Sequence, residues 1–493
     1  LVNVIDPTTG QRRPLMGGLV YAGVNGAPTV QGNQPAIKPA PRAGLVYSFN
    51  DKTVLRGGWG LYFSPWNYPA AGTTNWGQVG YSATTTLQQP QGVPTISLSN
   101  PFPNGLVQPT GNERGLLTGT GGDIFFVDPS KGAPRVQQFS IDIQRELPGS
   151  ANFSVGYSGA RGENLSWAGS NATATTGFIN INQIDPKYQA LVPNTLALVA
   201  NPFYGVADAG QFATRQTIEL GQLLRPFPQF GNVYMMQSTG AHSMYHAAIV
   251  QLRKRAVGLW GGQIGYTYSR LSDNQFAESN YYSANTGLQN NYTVVPGSAY
   301  YDPDLEYGRS LLDSPHKLVI APTLNVPGDG ALFGGWSVTA VVTVQSGFPI
   351  GVTQNQTTTP FLFGGTQRPN VVPGQDFVMP GDITSRIEAN VSDNEYLNKG
   401  AFSAAPANLF GNAPRMLPGV LSPWRNNVDL SVSKQVKTGG GTTASARVEV
   451  LNVFDTVQWA APTSVAFGNA AFGQIRNQAN NMRMMQFTFR FGF

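Results

Sequence analysis

The sequence predicts an all-β fold: a transmembrane antiparallel β-barrel with short periplasmic turns and long extracellular loops. Three observations carry the prediction. The chain ends MRMMQFTFRFGF, and an extended strand there sets Phe487, Phe489, Phe491 and Phe493 on one face and Gln486, Thr488, Arg490 and Gly492 on the other. Alternating segments of this kind recur in pairs, each pair joined by a few turn residues and separated from the next by a long irregular stretch. Charged residues make up only 12% of the chain, against roughly 25% in an average soluble domain, beside 11% aromatics, 58 Gly and 36 Pro. A soluble sandwich also buries alternating faces, so the tail by itself does not choose. The sorting of loop lengths does, because outer-membrane barrels keep short turns on one side and long loops on the other.

The pairs follow in order. PRAGLVYSF (Pro41 to Phe49) and TVLRGGWGLYF (Thr53 to Phe63) flank Asn50-Asp51-Lys52. RVQQFSIDIQREL (Arg135 to Leu147) and ANFSVGYSGAR (Ala151 to Arg161) flank Pro148-Gly149-Ser150, with Phe139, Ile141 and Ile143 facing away from Ser140, Asp142 and Gln144. MYHAAIVQLRKR (Met244 to Arg255) and GGQIGYTYSRLSD (Gly261 to Asp273) turn near Val257-Gly258. HKLVIAPTLNV (His316 to Val326) meets GWSVTAVVTVQSGF (Gly335 to Phe348) across PGDGALFG, and NNVDLSVSKQV (Asn426 to Val436) meets TTASARVEVLNVF (Thr442 to Phe454) across KTGGG. With the tail this makes about a dozen strands. The connections between pairs run to roughly 70 residues, then roughly 80, then roughly 40 to 80. Trp59, Tyr62, Phe63, Tyr157, Tyr266, Tyr268, Trp336 and Phe348 near strand ends suit the aromatic girdles of the two membrane interfaces.

Several functions are disfavoured. No stretch reaches the roughly 18 apolar residues of a membrane helix, so a membrane crossing here is a closed barrel. The net charge is +5 and the one basic run is RKR at Arg253 to Arg255, which argues against a nucleic-acid partner. Zero cysteines remove disulfides, thiolate metal sites and Cys nucleophiles. The chain begins at Leu1 with no basic and apolar leader, and LVNVIDPTTGQRRPLMGG reads as the middle of a longer protein.

Catalytic chemistry finds no candidate. The histidines are His242, His246 and His316; the first two are four apart, which in a strand separates them by roughly 13 Å. His316 lies two residues after Ser314, a spacing that does not make a nucleophile. YYDPDLEYGRSLLD gathers Asp302, Asp304 and Glu306, with Asp313 beyond, as hard oxygen ligands that suit Ca²⁺ but lack the Gly and Glu of an EF-hand loop. The Gly runs at 119–122 and 439–441 lack phosphate-loop spacing. No cofactor is expected beyond that candidate calcium. Asp142, Gln144, Arg447, Glu449 and Arg490 are candidates to face the lumen, either as a wall held by charge pairing or as contacts for a plug or solute. Solute capture is expected in amide- and aromatic-rich outer loops such as NQFAESNYYSANTGLQNNY (Asn274 to Tyr292).

Nine stretches, in order, resemble the barrel of Oar-like TonB-dependent receptors. Among them are PRAGLVYSFNDKTVLRGGWGLYFSPW, VQQFSIDIQRELPGSANFSVGYSGARGENL, LLRPFPQFGNV, DSPHKLVIAPTLNVP, GGWSVTAVVTVQSGFPI, RPNVVPG and ARVEVLNVFDTVQW. The resemblance runs from about Pro41 to Phe493. In that family a carboxypeptidase-regulatory-like domain and a plug precede the barrel; nothing here resembles either, and no TonB box is visible. The resemblance implies that residues 1–493 are outer-membrane barrel, the C-terminal part of a larger one, since transporter barrels have about 22 strands. It also implies contact with outer-membrane lipid, with the TonB complex through a plug outside this chain, and with the assembly machinery through the tail Phe487, Phe489, Phe491 and Phe493. The implied role is uptake of an unidentified solute too large for porins; a passive porin-like channel and a surface adhesion or structural barrel are the rivals.

Overall fold

The computed structural model describes the chain apart from residues 1–2, 7, 31, 34, 65–78, 86–96, 98, 104, 131, 166–177, 186, 189–190, 192–193, 237–238, 275–301, 303, 329–331, 355–366 and 407–410. Eleven strands form one antiparallel meander: β1 (Arg42–Asn50), β2 (Thr53–Phe63), β3 (Arg135–Leu147), β4 (Ala151–Leu165), β5 (Ala241–Val257), β6 (Trp260–Asp273), β7 (His316–Val326), β8 (Trp336–Gln345), β9 (Arg425–Gly439), β10 (Thr442–Leu451) and β11 (Met484–Gly492). Each pairs with its neighbours in sequence, and Gly308–Arg309 adds a short twelfth strand beside β6. Among the described residues β1 pairs only with β2, and β11 only with β10. The short turns all fall at one end. That between β3 and β4 is tight because Gly149 and Ser150 both adopt left-handed backbone, at φ 77° and 58°.

Register makes the alternation of single strands into a continuous surface. Tyr47 lies opposite Leu55, Leu55 opposite Ile143, Ile143 opposite Val155, and Val155 opposite Val250. The row continues through Tyr266, Leu318, Val344 and Asn426. At the other edge Phe487, Phe489 and Phe491 oppose Val448, Ala446 and Ala444. The side chains of this face are half-buried to exposed, with Ile141 exposed by 51%, Val155 by 46% and Phe489 by 77%. A soluble surface rarely carries more than a few hundred Å² of contiguous apolar area, so this face belongs in hydrocarbon. Its two rims are amphipathic. Near the short turns Lys254 and Lys434 lay their ammonium groups over Trp260 and Trp336, at 4.3 and 5.3 Å from the ring centres, stems on the apolar surface and charges at its edge. Near the long loops Tyr157 pairs with His246 Nδ1 at 2.5 Å and Tyr266 with His316 Nδ1 at 2.7 Å, and Trp424 stacks on His316. Phe139 lies across Gly159, its direct partner, where a Cβ would strike the ring.

Two expected girdle residues are elsewhere. Tyr62 falls on the polar face with Arg42 stacked on its ring at 4.7 Å, because it is one position out of phase with Trp59 and Phe63. Phe348 lies past the end of β8, under the Arg425 guanidinium at 5.4 Å.

The long connections are not loose. The first two, with residues 3–24, build small apolar cores around Val4, Phe203, Phe212 and Ile218, around Ile124, Phe230 and Val233, and around Ile184, Tyr188 and Leu224. Strands 124–127, 233–236 and 178–180 form a three-stranded sheet there. Buried Asn182 donates to the carbonyls of Phe227 and Gly231, and buried Gln222 to those of Pro228 and Phe230, so side-chain amides satisfy a turn that has no ladder. The connections 346–424 and 452–483 share a further core of Ile350, Val352, Leu397, Phe402, Leu417 and Phe472.

Residues 3–24 are tied down by Arg13, which donates to the carbonyls of Leu223 and Arg225 at 2.6 and 2.8 Å, and by Tyr188 Oη, which donates to Asp6 at 2.7 Å. Hydrogen bonds from Thr8 hold the Asp6 carboxyl well below its usual range, while burial and then the Asp6 bond raise Tyr188 from 10.0 to about 12. A phenol whose folded pKa is raised contributes fully below its unfolded value, and that contribution falls away as pH rises from 10.0 toward 12. The protection factors of the amides in residues 3–13, taken relative to intrinsic base-catalysed exchange, should therefore fall above pH 10, and Tyr188→Phe should already lower them at neutral pH; unchanged protection in both would refute the tether.

Candidate functional site

The face opposite the apolar belt carries the polar chemistry. Between β2 and β7 it is hollowed into a trough of about 1060 Å³ whose lining includes Arg56, Asp142, Gln144, Ser154, Gln251, Arg253 and Gln263. Register explains the gathering: Arg56 opposes Asp142, Gln144 opposes Ser154, and Ser154 opposes Gln251, all at alternate positions from the apolar row. The floor is thus amide and hydroxyl groups with a surplus of guanidinium. Such a surface stays wetted and offers hydrogen bonds along its length without an apolar pocket to grip a ligand.

The other lumen candidates lie on the same face of β10 and β11, seven and eight strands along the meander from β3. Arg447 and Glu449 are two apart on β10 with Nη1 and Oε1 3.7 Å apart, and both are solvent-accessible. Arg490 on β11 opposes Ser445. The structure brings Asp142 and Gln144 together in the trough, and Arg447, Glu449 and Arg490 together at the far edge. Phe487, Phe489, Phe491 and Phe493 line the exposed apolar edge of β11, with Phe493 just past its end.

Above the trough the rim of long connections is locked by two buried ion pairs. Arg415 Nη2 donates to the Asp273 carboxylate at 2.7 Å and to its carbonyl at 2.6 Å, and Arg368 Nη2 meets Glu306 at 2.9 Å. All four side chains are nearly inaccessible. Asp313, also buried, accepts from the Leu271 amide at 2.8 Å and pairs with Arg309 at 2.8 Å; burial pushes its carboxyl up, and the hydrogen bond and nearby arginines oppose this. The connection 274–315 is thereby fastened to the connection 346–424. Gly347 permits a close approach of the two ends of connection 346–424 to each other, since a Cβ there would collide with the Ser422 carbonyl.

The acidic run is dispersed. Asp302 caps the Asp304 amide at 3.1 Å, Asp304 lies 3.5 Å from His242 Nε2, and Glu306 turns inward to Arg368. Among the described residues no three potential metal ligands converge. His242 stacks on Tyr307 while His246 bonds Tyr157, so these two histidines take separate partners. The stretch from 275 to 292, expected to carry capture residues, lies outside the described residues.

Sequence reasoning missed the two buried pairs. Their partners are 142 and 62 positions apart, and no local pattern links residues at that separation. The one available signal was Arg368 and Arg415, each beside proline in an otherwise uncharged stretch.

A family model described as "Outer membrane beta barrel domain" matches residues 2–486. Comparison with curated proteins gives no match. Among solved structures, the ferripyoverdine receptor of the outer membrane of Pseudomonas aeruginosa is similar at 13% identity and TM-score 0.36, over 91% of this chain and 32% of that one. The outer membrane transporter YddB from Escherichia coli is similar at 9% identity and TM-score 0.39, over 90% of this chain and 38% of that one. The siderophore receptor PiuA from Acinetobacter baumannii is similar at 9% identity and TM-score 0.36, over 92% of this chain and 35% of that one. The chain spans about a third of the length of these receptors. The match over nearly the whole sequence, the meander with its one-sided long loops and the exposed apolar belt agree: the chain belongs to the outer membrane beta barrel domain family and resides in the bacterial outer membrane.

Proposed function

We propose that this chain is the barrel part of a TonB-dependent receptor that imports a solute too large for porins. The observation that carries the reading is the pairing of a wetted polar face with long connections folded into apolar cores at its outer rim. A porin needs only a lining, whereas a capture surface needs ordered outer loops. The ordered resemblance of nine stretches to Oar-like receptors supports the same reading. Among the described residues the edge strands β1 and β11 each pair on one side only, which supports a larger barrel, because an open edge in hydrocarbon leaves a row of unsatisfied backbone groups. In this reading a plug outside the sequence fills the lumen and transmits force from the TonB complex.

Native protein from purified outer membranes should have an intact mass well above 52.7 kDa. It should also be closed to ions in planar bilayers, and cells should lose uptake of its solute when TonB is deleted. Steady conductance by a 52.7 kDa species with TonB-independent uptake would establish a passive pore instead. A chain that binds surfaces but neither conducts nor supports uptake would establish an adhesin.

In the same reading the terminal strand is the signal for barrel assembly. Removing Phe493, fully exposed past the end of β11, should lower outer-membrane levels while leaving synthesis unchanged. Quantitative blotting of membrane and periplasmic fractions checks this, and normal membrane levels of the truncated chain would contradict it.

A further inference from the structure

On the apolar face, above the aromatic row and next to the long loops, four adjacent strands each contribute a basic side chain. They are Arg135 on β3, Arg161 on β4, His246 on β5 and Arg270 on β6, all exposed. His246 lies directly opposite Arg270. Arg161, opposite Gln137 and Met244, is one diagonal step from both Arg135 and His246, and such steps place neighbouring side chains within roughly 5–8 Å. The carboxylates near this arc are few. Glu163 accepts from Arg135 and Arg161 at 2.7 and 2.8 Å; Asp313 is buried against Arg309, and Asp304 lies toward His242. Arg135 and Arg161 therefore share Glu163 as their strand-borne partner on this face, while Arg270 lies toward Asp313.

The position of this arc matters more than its charge. Directly below it run Phe139, Tyr157, Tyr268 and then Val155, Val250 and Ile264, a ringed and aliphatic slope that faces hydrocarbon. The lysines at the opposite rim are spaced singly and each is covered by a tryptophan, the arrangement of a lone interfacial anchor. A cluster of planar guanidiniums at the outer rim is a different device, suited to bidentate contact with phosphate.

We propose that this arc binds the phosphate-bearing headgroup of an outer-leaflet lipid, whose acyl chains lie along the apolar slope beneath. Charge complementarity selects the headgroup, and continuity with the apolar belt selects a lipid over a free anion. The inference rests on placement in the outer membrane and is independent of the transport reading.

Native mass spectrometry of the full chain, purified from outer membranes into micelles doped with a phosphorylated glycolipid or its dephosphorylated counterpart, tests it. The wild type should retain the phosphorylated lipid and release the other. The pair Arg161→Gln and Arg270→Gln should weaken retention by roughly thirtyfold, as expected for removing two arginines near an anionic headgroup, whereas Lys254→Gln with Lys434→Gln should not. Glu163→Gln, which frees two guanidiniums and removes none, should strengthen retention and remains informative if the arginine variants do not assemble. Equal retention of both lipids, retention unchanged in the arginine pair, weaker retention in Glu163→Gln, or full displacement by inorganic phosphate would each overturn the proposal.

Discussion

Val250→Arg should destabilise the membrane-inserted barrel by about 2–4 kcal/mol, the cost of an arginine on the lipid face near the bilayer midplane. Val250 lies halfway along β5 between His246 at the outer rim and Lys254 at the inner one, with Val155 and Tyr266 on either side. An arginine there is too far from either interface for its stem to carry the charge out of hydrocarbon. Gln251→Arg, one residue later, places the same side chain in the polar trough and should change stability by less than about 0.5 kcal/mol, as ordinary surface substitutions do. Urea titration of barrels reconstituted in thin bilayers measures both. Equal costs at the two positions would mean that the faces have been assigned to the wrong solvents.

Arg415→Ala should cost about 3–5 kcal/mol locally, because it strands the Asp273 carboxylate in a buried site without a counter-charge. Arg415 also donates to the carbonyls of Asp273 and Arg309, so the outer end of β6 and the connection that follows should open together. Faster amide exchange is expected at residues 304–315 and 411–422, with the strands below unaffected. Combining Arg415→Met with Asp273→Asn should recover much of the loss, since removing both charges avoids the orphaned ion. If the single variant exchanges like the wild type, the pair is solvated rather than buried.

The strand pairs were legible because hydrocarbon on one face and water on the other impose a period of two that no other environment enforces over so many segments. Boundaries slipped where alternation fades: β4 continues through Gly162–Leu165 and β5 begins at Ala241, both beyond the apolar rows that reveal them. Tyr62 was misplaced because an aromatic near a strand end suggests a girdle, while its phase with Arg56 and Gly60 puts it on the polar face. The rim resisted reading for a different reason. Its cores join residues as distant as Val4 and Phe203, or Ile350 and Phe472, and segments without ladders carry no periodicity to follow. Alternate carboxylates at 302, 304 and 306 suggested one site, but a turn there sends Glu306 into the interior.

The central claim is that alternate residues of each strand face lipid and water. The chain contains no cysteine, so single cysteines introduced along β4 and β5 have no background. In native outer membranes, cysteines at Phe153, Val155, Val250 and Leu252 should react only with a membrane-soluble maleimide, while those at Ser154, Gly156, Ile249 and Gln251 should react with a charged aqueous one. A strict period-two pattern in that phase is the predicted result. Aqueous labelling at every position, or the opposite phase, would contradict the account.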